Sequence, residues 1–190
     1  MARPTRADLE RHRGARVDDL IGPGLRLLFV GINPGLWTAA VNAHFARPGN
    51  RFWPALHQAG ITDHRIDASE GLAPADADAL VQRGVGISNL VNIATARADE
   101  LTPAQLIEGA AHLRRLVATT TPRVVAMLGV TAYRAAFRAK SAATGRQAEP
   151  FEGAELWVLP NPSGLNAHAQ LADLARWYRA AAEAAGIELS

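Results

Sequence analysis

Four short, mainly apolar runs do not alternate apolar with polar residues: Leu25–Ile32 (LRLLFVGI), Val85–Val91 (VGISNLV), Val124–Leu128 (VVAML) and Leu156–Leu159 (LWVL). A strand with one wet face alternates apolar and polar residues, whereas a parallel sheet covered on both faces needs continuous apolarity. Helical segments separate the runs. Thr102-Pro103-Ala104-Gln105 is a capping-box start with proline at the first helical position, and Leu106, Ala110, Leu113 and Val117 follow on one face. The spacing also predicts helices over Pro74–Arg83, stopped by Gly84, over Thr131–Lys140, and over His168–Ala185, the last burying Leu171, Leu174 and Tyr178. Segment 141–153 reads as an exposed loop or hairpin. The expected fold is α/β, a three-layer α/β/α sandwich with a short, mostly parallel central sheet and right-handed crossovers. The 190 residues suit one domain, over 25–190, after an arginine-rich N-terminal arm at 1–24.

Composition removes several chemistries. There is no cysteine, which excludes disulfide scaffolds, thiol nucleophiles, thiolate zinc sites and iron–sulfur clusters. The six histidines are dispersed and give no metal-ligand pattern, so neither metal nor cofactor is expected. No run approaches the roughly 18 apolar residues of a membrane span. The arginines near the start are followed by no apolar core, so a cytoplasmic protein is expected. Lysine occurs once, at Lys140, so every other basic side chain is arginine. Acids are missing from 31–62, 109–148 and 156–172, and the middle stretch carries Arg114, Arg115, Arg123, Arg134, Arg138, Lys140 and Arg146. Such segregation points to a positive face and a nucleic-acid partner.

In open α/β sheets ligands bind beyond the carboxyl ends of the strands. Two polar turns stand there: Gly31-Ile32-Asn33-Pro34-Gly35 after the first run, and Pro160-Asn161-Pro162-Ser163-Gly164-Leu165-Asn166 after the fourth. Neither holds a carboxylate, and neither has the pattern of a nucleophile elbow or a phosphate loop. Asparagine amides orient water and hydrogen-bond an imide edge. That equipment suits departure of an electron-poor pyrimidine from its sugar, with the sugar cation stabilised electrostatically.

GINPG at 31–35, Arg47-Pro48-Gly49-Asn50-Arg51-Phe52-Trp53 and NPSGLN at 161–166 together resemble the mismatch-specific uracil (thymine) DNA glycosylase branch of the uracil-DNA glycosylase superfamily, from about residue 26 to the C-terminal helix. The resemblance implies a role for each motif residue. Asn33 would position the attacking water, slowly, because other branches place an Asp there. Gly31 and Ile32 would line the base pocket with backbone groups, and Phe45 would stack on the extruded base. Asn161 stands where several branches carry a histidine that steadies the departing base. Gly164, Leu165 and Asn166 would form the insertion loop, with Leu165 entering the stack and Ser163 bonding a phosphate or the turn.

Around these, Trp37 is pocket wall or packing, and Asn50 and Arg51 serve structure and phosphate. Asn89 and Asn92 reach the same sheet edge, and His168 caps the last helix or meets phosphate. A bifunctional enzyme needs an amine. Lys140 ends a helix away from both motifs, which predicts a monofunctional enzyme leaving an abasic site. The expected partner is double-stranded DNA carrying a mismatched or damaged pyrimidine, uracil opposite guanine foremost, bound by a monomer without any membrane. Two alternatives remain open at this point: a non-catalytic mismatch-sensing DNA-binding protein, and a nucleotide- or nucleoside-binding α/β enzyme.

Overall fold

A computed structural model describes residues 4–164 and 169–190. Five strands, β1 (Leu27–Gly31), β2 (Val85–Asn89), β3 (Val124–Leu128), β4 (Gly145–Arg146) and β5 (Glu155–Leu159), form one sheet in the order β2-β1-β3-β5-β4. All pairings are parallel except the β4–β5 hairpin. The helices are α1 (Arg6–Glu10), α2 (Leu36–Val41), α3 (Phe52–Gln58), α4 (Pro74–Gln82), α5 (Pro103–Thr120), α6 (Val130–Phe137) and α7 (Leu171–Ala185). The α/β sandwich with a mostly parallel sheet is the expected one.

Both sheet faces are covered, which explains the mainly apolar runs. Leu27, Phe29, Val124, Ala126 and Leu128 point into one core with Phe52 and Leu56 of α3, Leu80 of α4, and Leu174 and Tyr178 of α7. Leu28, Val30, Val125, Met127, Leu156 and Val158 point into the other with Leu113 and Val117 of α5 and Tyr133 of α6. The three-layer arrangement follows from this division. Phe29, Phe52 and Tyr178 form an aromatic centre on the first face, with ring centroids 5.0–5.7 Å apart.

The capping box of α5 forms as the sequence predicts: the Gln105 amide donates to Thr102 Oγ1 at 3.2 Å and the Thr102 amide to Gln105 Oε1 at 2.8 Å. Several element limits differ from expectation. The first two strands are shorter than their apolar runs, because the chain turns away at Gly31 and Asn89 to build the loops beyond them. Helix α6 stops at Phe137, where Arg138 takes a left-handed conformation. Helix α7 begins at Leu171, not His168, because Gln170 and Asp173 make the capping box there; His168 lies outside the described residues. Segment 141–153 is a hairpin whose Phe151 is buried. Gly84 ends α4 with φ +76°, and a Cβ there would sit 2.9 Å from Gly24 O.

Residues 14–20 run antiparallel beside 87–94. Leu20 and Ile87 exchange two backbone bonds of 2.9 and 2.8 Å, and the Ala94 amide donates to Ala15 O at 2.9 Å. Asn92 clasps Val17 at both ends of its peptide, accepting from its amide at 3.0 Å and donating to its carbonyl at 2.7 Å. Val17 is buried. The strap covers the free edge of β2, and β4 covers that of β5. His44, buried beneath the strap, has Nε2 2.9 Å from Asp18 O.

Burial holds the His44 imidazole below its usual 6.5, outweighing the raising effects of the Asp18 carbonyl and the Asp19 and Asp18 charges. The folded protein keeps His44 neutral where the unfolded chain takes up a proton. Stability from this residue is therefore intact above about pH 6.5 and is lost as pH falls toward the depressed folded value. The thermal midpoint is expected to decline between pH 7 and 5, and His44→Asn should flatten that decline; parallel profiles would refute it. A second expectation concerns Tyr178, whose buried hydroxyl has no hydrogen-bond partner among the described residues. Removing a hydroxyl already desolvated and unpaired loses no bond, so Tyr178→Phe should leave the thermal midpoint unchanged or higher. A drop of several degrees would count against it.

Candidate active site

At the carboxyl edge of the sheet the GINPG turn leaves β1 and enters α2 through Gly35. Asn33 is fixed by its amide nitrogen, which donates to Thr95 Oγ1 at 2.8 Å, Ile93 O at 3.0 Å and Pro34 O at 3.1 Å. Thr95 Oγ1 spends its own proton on Arg97 O at 2.7 Å, so it can only accept from Asn33. Three acceptors around one terminal atom identify it as nitrogen and leave Oδ1 as the outward acceptor. The Thr95 amide in turn donates to Pro34 O at 3.2 Å, knitting the turn to the loop after β2.

Asn33 lies in a cleft of about 150 Å3 lined by Ile32, Phe45, Asn89, Asn161 and Ser163 among others. That volume is below the roughly 300–1,000 Å3 of drug-sized ligand sites and suits a single ring. Phe45 has φ +55°, an unfavourable conformation for a bulky side chain. Its ring stacks on Phe52 with centroids 4.0 Å apart and planes 24° apart, so the aromatic core holds the strained residue in place. Gly31 makes room for this: a Cβ there would lie 2.6 Å from Asn89 Oδ1 and 3.0 Å from Phe45 Cζ. Asn89 is buried, with Nδ2 3.3 Å from His44 Nδ1. His44 gives its Nε2 proton to Asp18 O, so Nδ1 accepts and the Asn89 amide donates.

The second motif meets the first from across the sheet. Asn161 turns back on its own loop, Oδ1 accepting from the Ser163 amide at 2.9 Å. Arg51, at the start of α3, donates Nη2 to Ser163 O at 2.6 Å and Nη1 to Ala169 O. Its amide donates to Pro162 O at 3.0 Å. Gly164 packs so close to Gly49 that a Cβ would lie 2.6 Å from Gly49 O. Leu165 and Asn166 lie outside the described residues. Wider grooves flank the cleft, one sharing Phe45, Arg47 and Asn50 with it, the other Ile32, Asn161 and Ser163.

Of the residues singled out in the sequence, Ile32, Asn33, Phe45, Asn89, Asn161 and Ser163 thus come together. Gly31 stands behind them. Asn92 does not join them, being committed to Val17. Trp37 packs against the core and donates to Ser69 O at 2.9 Å. Asn50 lines the cleft as well, while its Oδ1 accepts from the Phe52 amide at 2.9 Å at the start of α3. Lys140 follows the C-terminal end of α6 and does not line the cleft. The basic stretch is partly consumed by the fold: Arg114 pairs with Glu152 and lies over Phe137 and Phe151, Arg134 bonds Ala142 O, and Arg146 pairs with Glu155. Thr95, Ile93 and His44 emerge only from the structure. Thr95 and Ile93 meet Asn33 from some sixty residues away, and His44 adjoins Phe45 without any pattern that marks it.

The chain superposes on a solution NMR structure of a Methanosarcina acetivorans protein assigned as a uracil DNA glycosylase, with a TM-score of 0.56 and 16% identity, over 89% of this chain and 97% of that one. At that identity the likeness establishes the fold. The sequence model of the uracil DNA glycosylase superfamily matches residues 19–184, a span that takes in both strand-end turns, the Phe45–Phe52 stack and the loop carrying Thr95. The chain therefore belongs to the uracil DNA glycosylase superfamily.

Proposed function

We propose that this chain is a monofunctional DNA glycosylase of the mismatch-specific branch, which extrudes a mismatched or damaged pyrimidine and hydrolyses its N-glycosidic bond without a cofactor. The observation that carries the reading is the anchoring of Asn33. Its amide nitrogen is saturated by protein acceptors, so Oδ1 is left to orient a water at the cleft that Phe45 and Asn89 line. The water oxygen attacks the sugar C1′ as the C1′–N1 bond breaks. The bonding electrons leave with the base as an imide anion, and the water proton passes to solvent. Among the described residues no carboxylate lines the cleft, so departure depends on hydrogen bonds to the base rather than on general acid catalysis.

Phe45, backed by Phe52, supplies a stacking face. Asn89, with its nitrogen held by His44, offers Oδ1 to the N3–H of uracil or thymine. Gly31 carries no side chain and Ile32 lays its Cδ1 against Gly129, which supports thymine opposite guanine and etheno-cytosine as further substrates beside uracil opposite guanine. Leu165 would fill the space left in the stack, an exchange that a mismatched pair makes easier. Lys140, away from the cleft, gives no amine for a Schiff base.

The test is a single-turnover assay on a labelled duplex with one uracil opposite guanine, with and without alkali before the gel. Strand breaks only after alkali are expected; breaks without alkali would remove the monofunctional reading. Duplex binding without any breaks would make the protein a mismatch sensor. Asn33→Ala should slow excision by about 100-fold or more while duplex affinity stays within a few-fold. Parallel loss of both would remove its role in placing water. Phe45→Ala should weaken capture of the extruded base by roughly 5- to 150-fold, the range of one stacking contact. An unchanged excision profile would mean the ring serves packing alone.

A further inference from the structure

We propose that Arg51 is a positioning residue for base extrusion, coupling the stacking platform to the second strand-end loop; the inference rests on the glycosylase reading above. One guanidinium spans two backbone carbonyls, donating to Ser163 O at 2.6 Å and to Ala169 O, while the Arg51 amide holds Pro162 O at 3.0 Å. A planar fork with fixed N–H directions sets two carbonyls in one geometry, which a single ammonium does not. Bonds from a charged donor are also the stronger kind.

The residue next in sequence is Phe52, whose ring carries Phe45 at 4.0 Å. Two successive residues at the head of α3 therefore set two separate parts of the site. Phe52 fixes the surface on which the base lands. Arg51 fixes Ser163 and Ala169, the described ends of the stretch to which the wedge is assigned. Extrusion needs the base to arrive on the platform as another side chain enters the stack. With both contacts made from one helix start, Phe45 is held relative to Ser163 and Ala169 before DNA arrives. Arg51 touches neither Asn33 nor the reacting bond, so it acts through the loop.

The test compares Arg51→Lys and Gly164→Ala with the wild-type protein on two duplexes: uracil opposite guanine, and uracil opposite an abasic spacer, where no pair must be broken. Lysine keeps the charge but not the fork. An alanine Cβ at 164 meets Gly49 O at 2.6 Å and displaces the same loop without altering α3. Excision opposite guanine should fall roughly ten- to a hundred-fold in both variants, the range for losing one charge-assisted bond. Excision opposite the spacer should fall several-fold less than opposite guanine, with 2-aminopurine fluorescence beside the uracil reduced on the guanine duplex. Thermal midpoints report on folding, and Gly164→Ala carries the test if Arg51→Lys does not fold. Equal losses on both duplexes, or none on either, would overturn the proposal. Wild-type behaviour in the same assay separates the two readings: no excision by the wild type removes the glycosylase reading, whereas wild-type excision with unchanged variants removes only the role of Arg51.

Discussion

At Gly31 strand β1 ends on a residue without a side chain, and the volume a Cβ would need is occupied by Asn89 Oδ1 from one side and the Phe45 ring from the other. That close approach depends on β1 pairing with β2, whose last residue Asn89 lies opposite Gly31, and on the connection after β1 folding Phe45 back over its end. The Phe45 ring is pressed into the same space by Phe52, which belongs to the aromatic centre around Phe29 and Tyr178. Core packing and cleft shape are thus one problem here: the groups that stabilise the first face of the sheet also hold a strained phenylalanine at the edge of the site.

The polar side of the site is built on a different principle. Asn33, Asn89 and Asn161 each have one end of the amide committed to a protein group: to Thr95 and two carbonyls, to His44, and to the Ser163 amide. An amide tied at one end has its other end's direction fixed, so little reorganisation is needed when a polar substrate arrives. The arrangement also disfavours a carboxylate at position 33. An aspartate there would turn an oxygen toward the carbonyls of Pro34 and Ile93, which at present accept from nitrogen. The neighbourhood of this turn is matched to an amide.

Much of this was legible in the sequence because strands buried on both faces leave a signature that needs no partner information, and because the Thr102–Gln105 box and the GINPG and NPSG turns are local. What stayed hidden is non-local or made of backbone. Helices α2 and α3 have six and seven residues, too few for a period to show. The sequence marks Arg51 for structure and phosphate but not its acceptors, which are carbonyls that every residue has. Charge counted along the chain overstates the basic stretch for a related reason, since Arg114, Arg134 and Arg146 are spent on Glu152, Ala142 O and Glu155. Asn92 looked like a site residue by position and turned out to clasp Val17.

The strap formed by residues 14–20 bears on how copies of this chain behave toward each other. A parallel sheet has two edges, and a bare edge is a template that any extended chain can extend. One edge is occupied by β4, and the other by Leu20, bonded in both directions to Ile87. A chain trimmed past Leu20 would keep β1 and its cleft but lose the cover over β2, opening a route to strand exchange and aggregation at high concentration. The arginine-rich arm thus includes the stretch that keeps this sheet edge paired.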